Sequence, residues 1–259
     1  MMPPWRARWR YALLLLLTLT VGQIAAGIAV LLPVFVLTQQ PLPQSSNRLS
    51  EALLDFAISP PGITAQVVGV ALAMSATVIL ALSLPRFSER PTQIWLALFP
   101  IKRIPAWTIP LMLIPLLAIA GVVITQFGET DVQAQEVLFS TNTGLTIFTA
   151  MMVVSVVPFA EEFVFRGALY NALLPEAHDL SAAQLDWKAH RLPFLISMVA
   201  FVALHLIAGF GTASAILQIV ILSTFLSGLR TITGSVWAPV IAHLCWNALA
   251  AVGLLATSI

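Results

Sequence analysis

Long apolar segments alternate with short polar ones along nearly the whole chain. The first apolar segment runs from Tyr11 to Leu37 and contains no charged residue. Because a helix rises about 1.5 Å per residue, about 20 apolar residues span a bilayer core about 30 Å thick. The pattern therefore predicts an all-α polytopic membrane helix bundle of about seven (7-8) transmembrane helices. The six later spans are predicted at residues 66–84, 106–126, 144–174, 192–208, 212–229 and 235–256.

The polar segments between the spans differ in charge. Residues 85–105 are rich in Lys and Arg, whereas residues 127–143 contain neither. Positively charged residues accumulate on the cytoplasmic side of membrane proteins. A cytoplasmic N-terminus leaves only Arg48 outside and Arg166 within the membrane. The other ten cationic residues then lie inside, and they are Arg6, Arg8, Arg10, Arg86, Arg90, Lys102, Arg103, Lys188, Arg191 and Arg230.

Composition agrees with a protein that lies mostly in lipid. Hydrophobic residues make up 59% of the 259 residues and charged residues only 9%, against about 25% charged in a soluble domain. We predict one membrane domain over residues 1–259, with no soluble domain and no nucleic-acid partner, so that the lipid bilayer is its main surrounding. The single cysteine, Cys245, excludes an internal disulfide.

Three ionisable residues interrupt the fourth apolar segment. Glu161, Glu162 and Arg166 lie within six residues of one another, although a central Asp or Arg costs about 2.5 to 3.5 kcal/mol on membrane insertion. Glu162 and Arg166 are spaced i,i+4 on a helix and can pair, whereas Glu161 lies about 100° round the axis. One acid is then neutralised while the other is free for proton chemistry. The alternative is a purely structural ion pair.

Two later spans carry further polar residues at helical spacing. His205 lies in the fifth span, and His243 and Asn247 lie one turn apart in the seventh. Counted from the cytoplasmic ends at about 1.5 Å per residue, Glu161 and His205 lie roughly 20 Å deep, Asn247 roughly 18 Å and His243 roughly 12 Å. Because such groups need polar partners in lipid, similar depths predict one shared site.

A carboxylate, two imidazoles and a carboxamide can hydrolyse a peptide bond without a covalent intermediate. The carboxylate and one imidazole can take a proton from a water that attacks a carbonyl, while the other imidazole and the amide donate to the oxyanion. Glu161, His205 and His243 are also a plausible zinc set. The HExxH motif is absent, and we favour a site with no metal and no other cofactor.

Other interpretations of the polar residues stay open. A single histidine on an apolar helix is often only a core residue, and a proton- or ion-coupled transporter would also bury Glu, Arg and His. A non-catalytic membrane scaffold or regulator of the same fold is a further alternative. His178 and His190 fall in a polar connector, where we expect them to be solvated. Ser197 lacks the sequence context of a serine nucleophile, and Cys245 is expected to be a packing residue.

Three motifs in the C-terminal half, over residues 145–250, follow the order found in one family. Together they resemble the CAAX prenyl protease 2 and bacteriocin-processing (CPBP, or Abi) family of intramembrane proteases. The preceding part of the chain is similar only as generic spans. The motifs are Glu161-Glu162-(three residues)-Arg166, Phe201-(three residues)-His205 and His243-(three residues)-Asn247.

The resemblance implies a role for each motif residue. Glu161 would activate water with His205, His243 and Asn247 would form the oxyanion side, and the pair formed by Glu162 with Arg166 would have supporting roles. The expected reaction is cleavage of a membrane-associated protein or peptide, and family members that process prenyl proteins act after an isoprenylated cysteine. The short loops point to a bacterial cell (inner) membrane protein.

Overall fold

The computed structural model describes residues 4–38, 45–57, 59–83, 96–128, 143–175, 186–207 and 212–257. These residues form eight helical elements and no strand. In chain order the helices are α1 (Pro4–Thr38), α2 (Ser46–Ala57), α3 (Pro60–Ser83), α4 (Thr108–Phe127), α5 (143–173), α6 (Trp187–Ile207), α7 (Ala213–Thr233) and α8 (Trp237–Thr257).

Six of these helices, α1 and α3 to α7, are long and apolar enough to cross a membrane, and the apolar stretch Trp237–Val252 of α8 is somewhat shorter. The predicted all-α polytopic bundle is therefore confirmed. The protein is an integral multi-pass membrane protein. The predicted segments that fall at residues 85–95, 129–142, 176–185 and 208–211 lie outside the described residues.

Two helix starts differ from the sequence prediction. The predicted spans leave residues 38–65 as a connector, but α2 lies within them and α3 already begins at Pro60, where a missing N–H costs nothing. The fifth span begins at Trp187 rather than Leu192. There Asp186 Oδ1 accepts a hydrogen bond from the Lys188 N–H at 3.0 Å, as an N-cap residue does.

Helices α1 and α3 approach each other closely at two glycines. A Cβ placed on Gly69 would lie 2.7 Å from the Cα of Gly27, so only a residue without a side chain fits there. Helix α3 also contacts α5 through a hydrogen bond of 3.0 Å between the Thr64 and Thr149 hydroxyls. The α1–α3 pair therefore supports the helix that carries the two glutamates.

Helix α5 is not a regular α-helix. It contains two π-helical segments, Met152–Val156 and Phe163–Leu169, on either side of the α-helical segment Val157–Glu162. In the first, the Val157 N–H donates to the Met152 carbonyl five residues back. Pro158 follows and has no N–H to offer, which explains why the α-helical hydrogen-bond pattern is interrupted here. Glu161 and Glu162 thus lie between two wide turns.

The α7–α8 hairpin packs against a non-helical segment, residues 96–107. Gly234 ends α7 in a left-handed conformation with φ of 68°, which suits glycine. The Val236 N–H then donates to the Ala97 carbonyl at 3.0 Å. On its other side this segment touches α5, because a Cβ on Gly167 would lie 3.3 Å from the Leu96 carbonyl oxygen. These contacts fix α8, which carries His243, relative to α5.

Candidate active site

The Glu161 carboxylate lies between two imidazole rings that come from different helices. Its Oε1 is 4.0 Å from His205 Nε2 on α6, and its Oε2 is 3.8 Å from His243 Nε2 on α8. Only 7% of the Glu161 side chain is exposed. Both distances exceed a direct hydrogen bond of up to about 3.2 Å. They suit a water that contacts the acid and an imidazole at once.

His205 is oriented by the helix that carries it. Its Nδ1 lies 2.9 Å from the Phe201 carbonyl oxygen one turn earlier. A carbonyl can only accept, so Nδ1 carries the hydrogen and Nε2 of the neutral ring carries a lone pair. The Phe201 ring also packs against the imidazole, with 4.3 Å between centroids. Nε2 is the ring nitrogen that faces Glu161.

His243 is oriented by the second glutamate. Its Nδ1 lies 2.8 Å from Glu162 Oε1, and both residues are nearly inaccessible. An ionised carboxylate only accepts, so Nδ1 donates and Nε2 is the atom turned toward Glu161. His243 is therefore arranged to become a hydrogen-bond donor through Nε2 when it is protonated.

Glu162 is in turn paired with Arg166, as their i,i+4 spacing suggested. Arg166 NH1 lies 2.8 Å from Glu162 Oε1, and both side chains are fully buried. Its NH2 donates to Ser223 Oγ at 2.8 Å and to the Ser223 carbonyl at 3.2 Å. The Phe201 ring centroid lies 4.4 Å from the guanidinium carbon, within cation–π range. The pair therefore connects α5 to α6, α7 and α8.

Asn247 contacts main chain rather than the acid. Its Nδ2 donates to the Val153 carbonyl at 2.9 Å. In the π-helical pattern the donor for Val153 would come from position 158, and Pro158 has none. Asn247 supplies the missing hydrogen bond. Among the site residues expected from the sequence, the structure groups Glu161 with the two histidines, and Asn247 one helical turn from His243 at the edge of this group.

The donor atoms do not fit a zinc ion well. No three His, Cys, Asp or Glu side chains in the described part of the chain are placed to hold a metal. The two Nε2 atoms approach different oxygens of Glu161, and Glu162 Oε1 is already shared by Arg166 and His243. A tetrahedral zinc site needs its ligands to converge on one point at about 2.0 to 2.2 Å.

One prediction about polar residues was wrong. His190, expected to be solvated, is 3% exposed, and its Nδ1 lies 2.9 Å from the Tyr170 hydroxyl, because α6 starts earlier than expected. Arg230 is fully buried within α7, which continues to Thr233, and the sequence did not predict this burial. The i,i+4 spacing of Ser223 and Ser227, followed by Arg230, is a signal that could have indicated a buried polar stripe.

Three further polar residues were considered in the sequence: Ser197, Cys245 and His178. Ser197 is buried and donates to the Phe165 carbonyl at 3.0 Å, so its hydroxyl is committed to main chain. Cys245 is a free, partly buried thiol. His178 lies outside the described residues.

One comparison with known proteins matches the part of the chain that carries the three motifs. Searches of the curated proteins and of the solved structures gave no significant match. A family model matches residues 143–249, which include all three motifs, and its description is type II CAAX prenyl endopeptidase Rce1-like. This match confirms the resemblance drawn from the motifs: residues 143–249 are similar to the type II CAAX prenyl endopeptidases of the CPBP family.

Proposed function

We propose that this protein is an intramembrane endopeptidase that hydrolyses a peptide bond of a membrane-associated protein or peptide, prenylated or not. The proposal is supported above all by the position of the Glu161 carboxylate between Nε2 of His205 and Nε2 of His243, at 4.0 and 3.8 Å. These groups come from three helices and would be costly to bury without a shared role.

In the proposed reaction, one water lies between Glu161 and His205. The carboxylate and the lone pair of Nε2 each accept one of its hydrogen bonds, which leaves an oxygen lone pair for attack on the substrate carbonyl carbon. The new C–O bond forms as one proton passes to Glu161 or His205. This step requires no group other than the side chains present, and we propose that it proceeds without a metal ion.

His243 and Asn247 are the proposed donors to the oxyanion. A protonated His243 presents Nε2–H beside Glu161, and the Asn247 amide has a second N–H besides the one bound to Val153. Collapse of the tetrahedral intermediate breaks the C–N bond. The proton held by Glu161 or His205 passes to the leaving amine, so one water is consumed and one acid and one amine are released.

An apolar cavity beside the site suits the lipid-soluble part of a substrate. It has a volume of about 480 Å³ and opens between α3, α5 and α8. Ala160 and Leu244 line it, and they directly neighbour Glu161 and His243 in sequence. A membrane-spanning segment or an isoprenoid chain in this cavity would bring the adjacent peptide bond near the acid.

Cleavage assays with defined peptides test the proposal. The detergent-purified protein is mixed with three fluorescence-quenched peptides: one farnesylated at a C-terminal cysteine motif, the same peptide without lipid, and one transmembrane peptide. We expect Glu161→Gln to lower the cleavage rate by about 10²- to 10⁴-fold, the usual contribution of a general base. Glu51→Gln, an exposed change on α2, is the control.

The same assay separates the alternatives. Equal cleavage by wild type and Glu161→Gln removes Glu161 from the mechanism. Loss of activity in a chelator, restored by zinc, contradicts the metal-independent reaction. If wild type cleaves none of the peptides and proteoliposomes containing it take up a solute in a proton-linked manner, the protein is a proton-coupled transporter instead.

A further inference from the structure

We propose that Arg230 is a positioning residue of the hydrolytic site and that it acts through the main chain of Arg166. The inference rests on the proposed hydrolase function. It concerns a residue outside the three motifs, on α7, whose side chain touches neither Glu161 nor either active-site histidine in the described part of the chain.

Arg230 is buried without an acidic partner among the described residues. Its side chain is fully inaccessible, and NH1 has no hydrogen-bond acceptor there. Its contacts all lie on α5: Nε donates to the Arg166 carbonyl at 2.8 Å, NH2 donates to Asn171 Oδ1 at 2.6 Å, and the guanidinium carbon lies 4.8 Å from the Tyr170 ring centroid. Burying a cation with only neutral acceptors is costly. The hydrogen bonds that offset this cost go to one turn of α5.

The turn that Arg230 contacts is the second π-helical segment. In a regular α-helix the Tyr170 N–H would donate to the Arg166 carbonyl. Here it donates to the carbonyls of Phe165 and Gly167 instead, and Arg230 Nε supplies a donor for Arg166. On the preceding residue, Ser197 donates to the Phe165 carbonyl at 3.0 Å. Two successive carbonyls of the π turn are therefore bound by side chains from α7 and α6.

The conformation of this turn decides where the Arg166 side chain points. A π turn holds one more residue than an α turn, and one residue corresponds to about 100° of rotation about the helix axis. If the segment relaxed to α-helix, the Arg166 guanidinium would rotate away from Ser223 on α7 and from the Phe201 ring on α6, which now hold it. The pair of Arg166 with Glu162 would then lose its attachment to these helices, and Glu162 would shift relative to His243 Nδ1. His243 Nε2 would no longer be held toward Glu161.

Ser227→Ala is a matched control for changes at Arg230. Ser227 lies on the same helix and is fully buried, but its hydroxyl has no hydrogen-bond partner in the described part of the chain. Arg230→Gln removes the charge and the forked geometry. Arg230→Lys keeps the charge, but its single ammonium cannot reproduce the fork that binds the Arg166 carbonyl and Asn171 Oδ1 together.

The first readout does not depend on activity. Purified proteins are treated with diethyl pyrocarbonate, and modification of each histidine is followed by mass spectrometry. His243 is 3% exposed, so we expect it to be protected in wild type and Ser227→Ala, and to react about 10-fold faster in Arg230→Gln, since rotation of the π turn releases it. Unchanged protection of His243 in a folded Arg230→Gln protein overturns the proposal.

The second readout separates positioning from folding. We expect Arg230→Gln to lower kcat by about 10- to 100-fold, as misplacement of supporting groups does, with KM within about twofold and an altered pH–rate profile. The kcat of Arg230→Lys should lie between that of Arg230→Gln and that of wild type. Arg230→Lys takes the place of Arg230→Gln in both readouts if Arg230→Gln does not fold. A loss of activity that only follows the loss of folded protein, with the pH profile unchanged, contradicts positioning. If wild type cleaves no peptide, the proposed function fails, while the protection of His243 still decides the role of Arg230.

Discussion

The two adjacent glutamates have different surroundings because their side chains leave α5 in different directions. Glu161 faces two imidazole nitrogens at 3.8 to 4.0 Å, whereas Glu162 makes direct contacts of 2.8 Å with Arg166 and with His243 Nδ1. Close contacts fix Glu162 as the group that orients His243. The looser surroundings of Glu161 suit its proposed role as the residue that activates water.

Arg166 should be essential for stability. Arg166→Ala removes the partner of the fully buried Glu162, and leaving one member of a buried ion pair uncompensated costs about 3 to 5 kcal/mol. We expect less folded protein on size-exclusion chromatography and a clearly lower melting temperature. Arg191→Ala, at an exposed position of α6, is the control. A folded Arg166→Ala protein with wild-type melting would show that the pair contributes little.

At the residue scale, spacing predicted some contacts and missed others. The i,i+4 rule predicted the pair of Glu162 with Arg166, because both residues lie on one helix whose geometry is known in advance. The contact of Glu162 with His243 joins α5 to α8 and depends on the rotation of both helices. Spacing within one segment contains no information about that rotation.

At the scale of elements, the α1–α3 contact sets a strict limit on side-chain size. Gly69→Ala would bring its Cβ to 2.7 Å from Gly27 Cα and 2.9 Å from the Ala26 carbonyl oxygen. These are main-chain atoms that cannot move aside alone, so we expect destabilisation by about 1 to 3 kcal/mol, as in overpacked cores. The measurement is thermal unfolding in detergent.

Gly121→Ala on α4 is the matched control for Gly69→Ala. Nothing lies within 4 Å of a Cβ built at Gly121, and alanine favours a helix interior over glycine by about 0.5 to 1 kcal/mol. The two substitutions should therefore shift the melting temperature in opposite directions. A shift of the same sign and size for both would mean that the close approach of α1 and α3 is not maintained in solution.

For the whole molecule, the predicted topology places α2 and the segment 96–107 on opposite sides of the membrane, because the span α3 lies between them in the chain. With the N-terminus cytoplasmic, Glu51 on α2 lies outside and Lys102 inside. We expect Glu51→Cys, in a Cys245→Ser background, to react with an impermeant maleimide on intact bacterial cells, and Lys102→Cys to react only after permeabilisation. The opposite pattern would reverse the predicted orientation.

The sequence alone determined the class of the fold, because the length of an apolar segment is compared directly with the thickness of a bilayer. It also determined which polar residues had to find partners in the membrane, since their cost in lipid is a property of the side chain. Helix packing decided the rest. Only the tertiary structure placed the two imidazoles on either side of Glu161 and buried His190 and Arg230. The two π turns in α5 likewise depend on it, since side chains from other helices donate to their carbonyls. Those hydrogen bonds join residues far apart in the chain, which is why no local pattern predicted them.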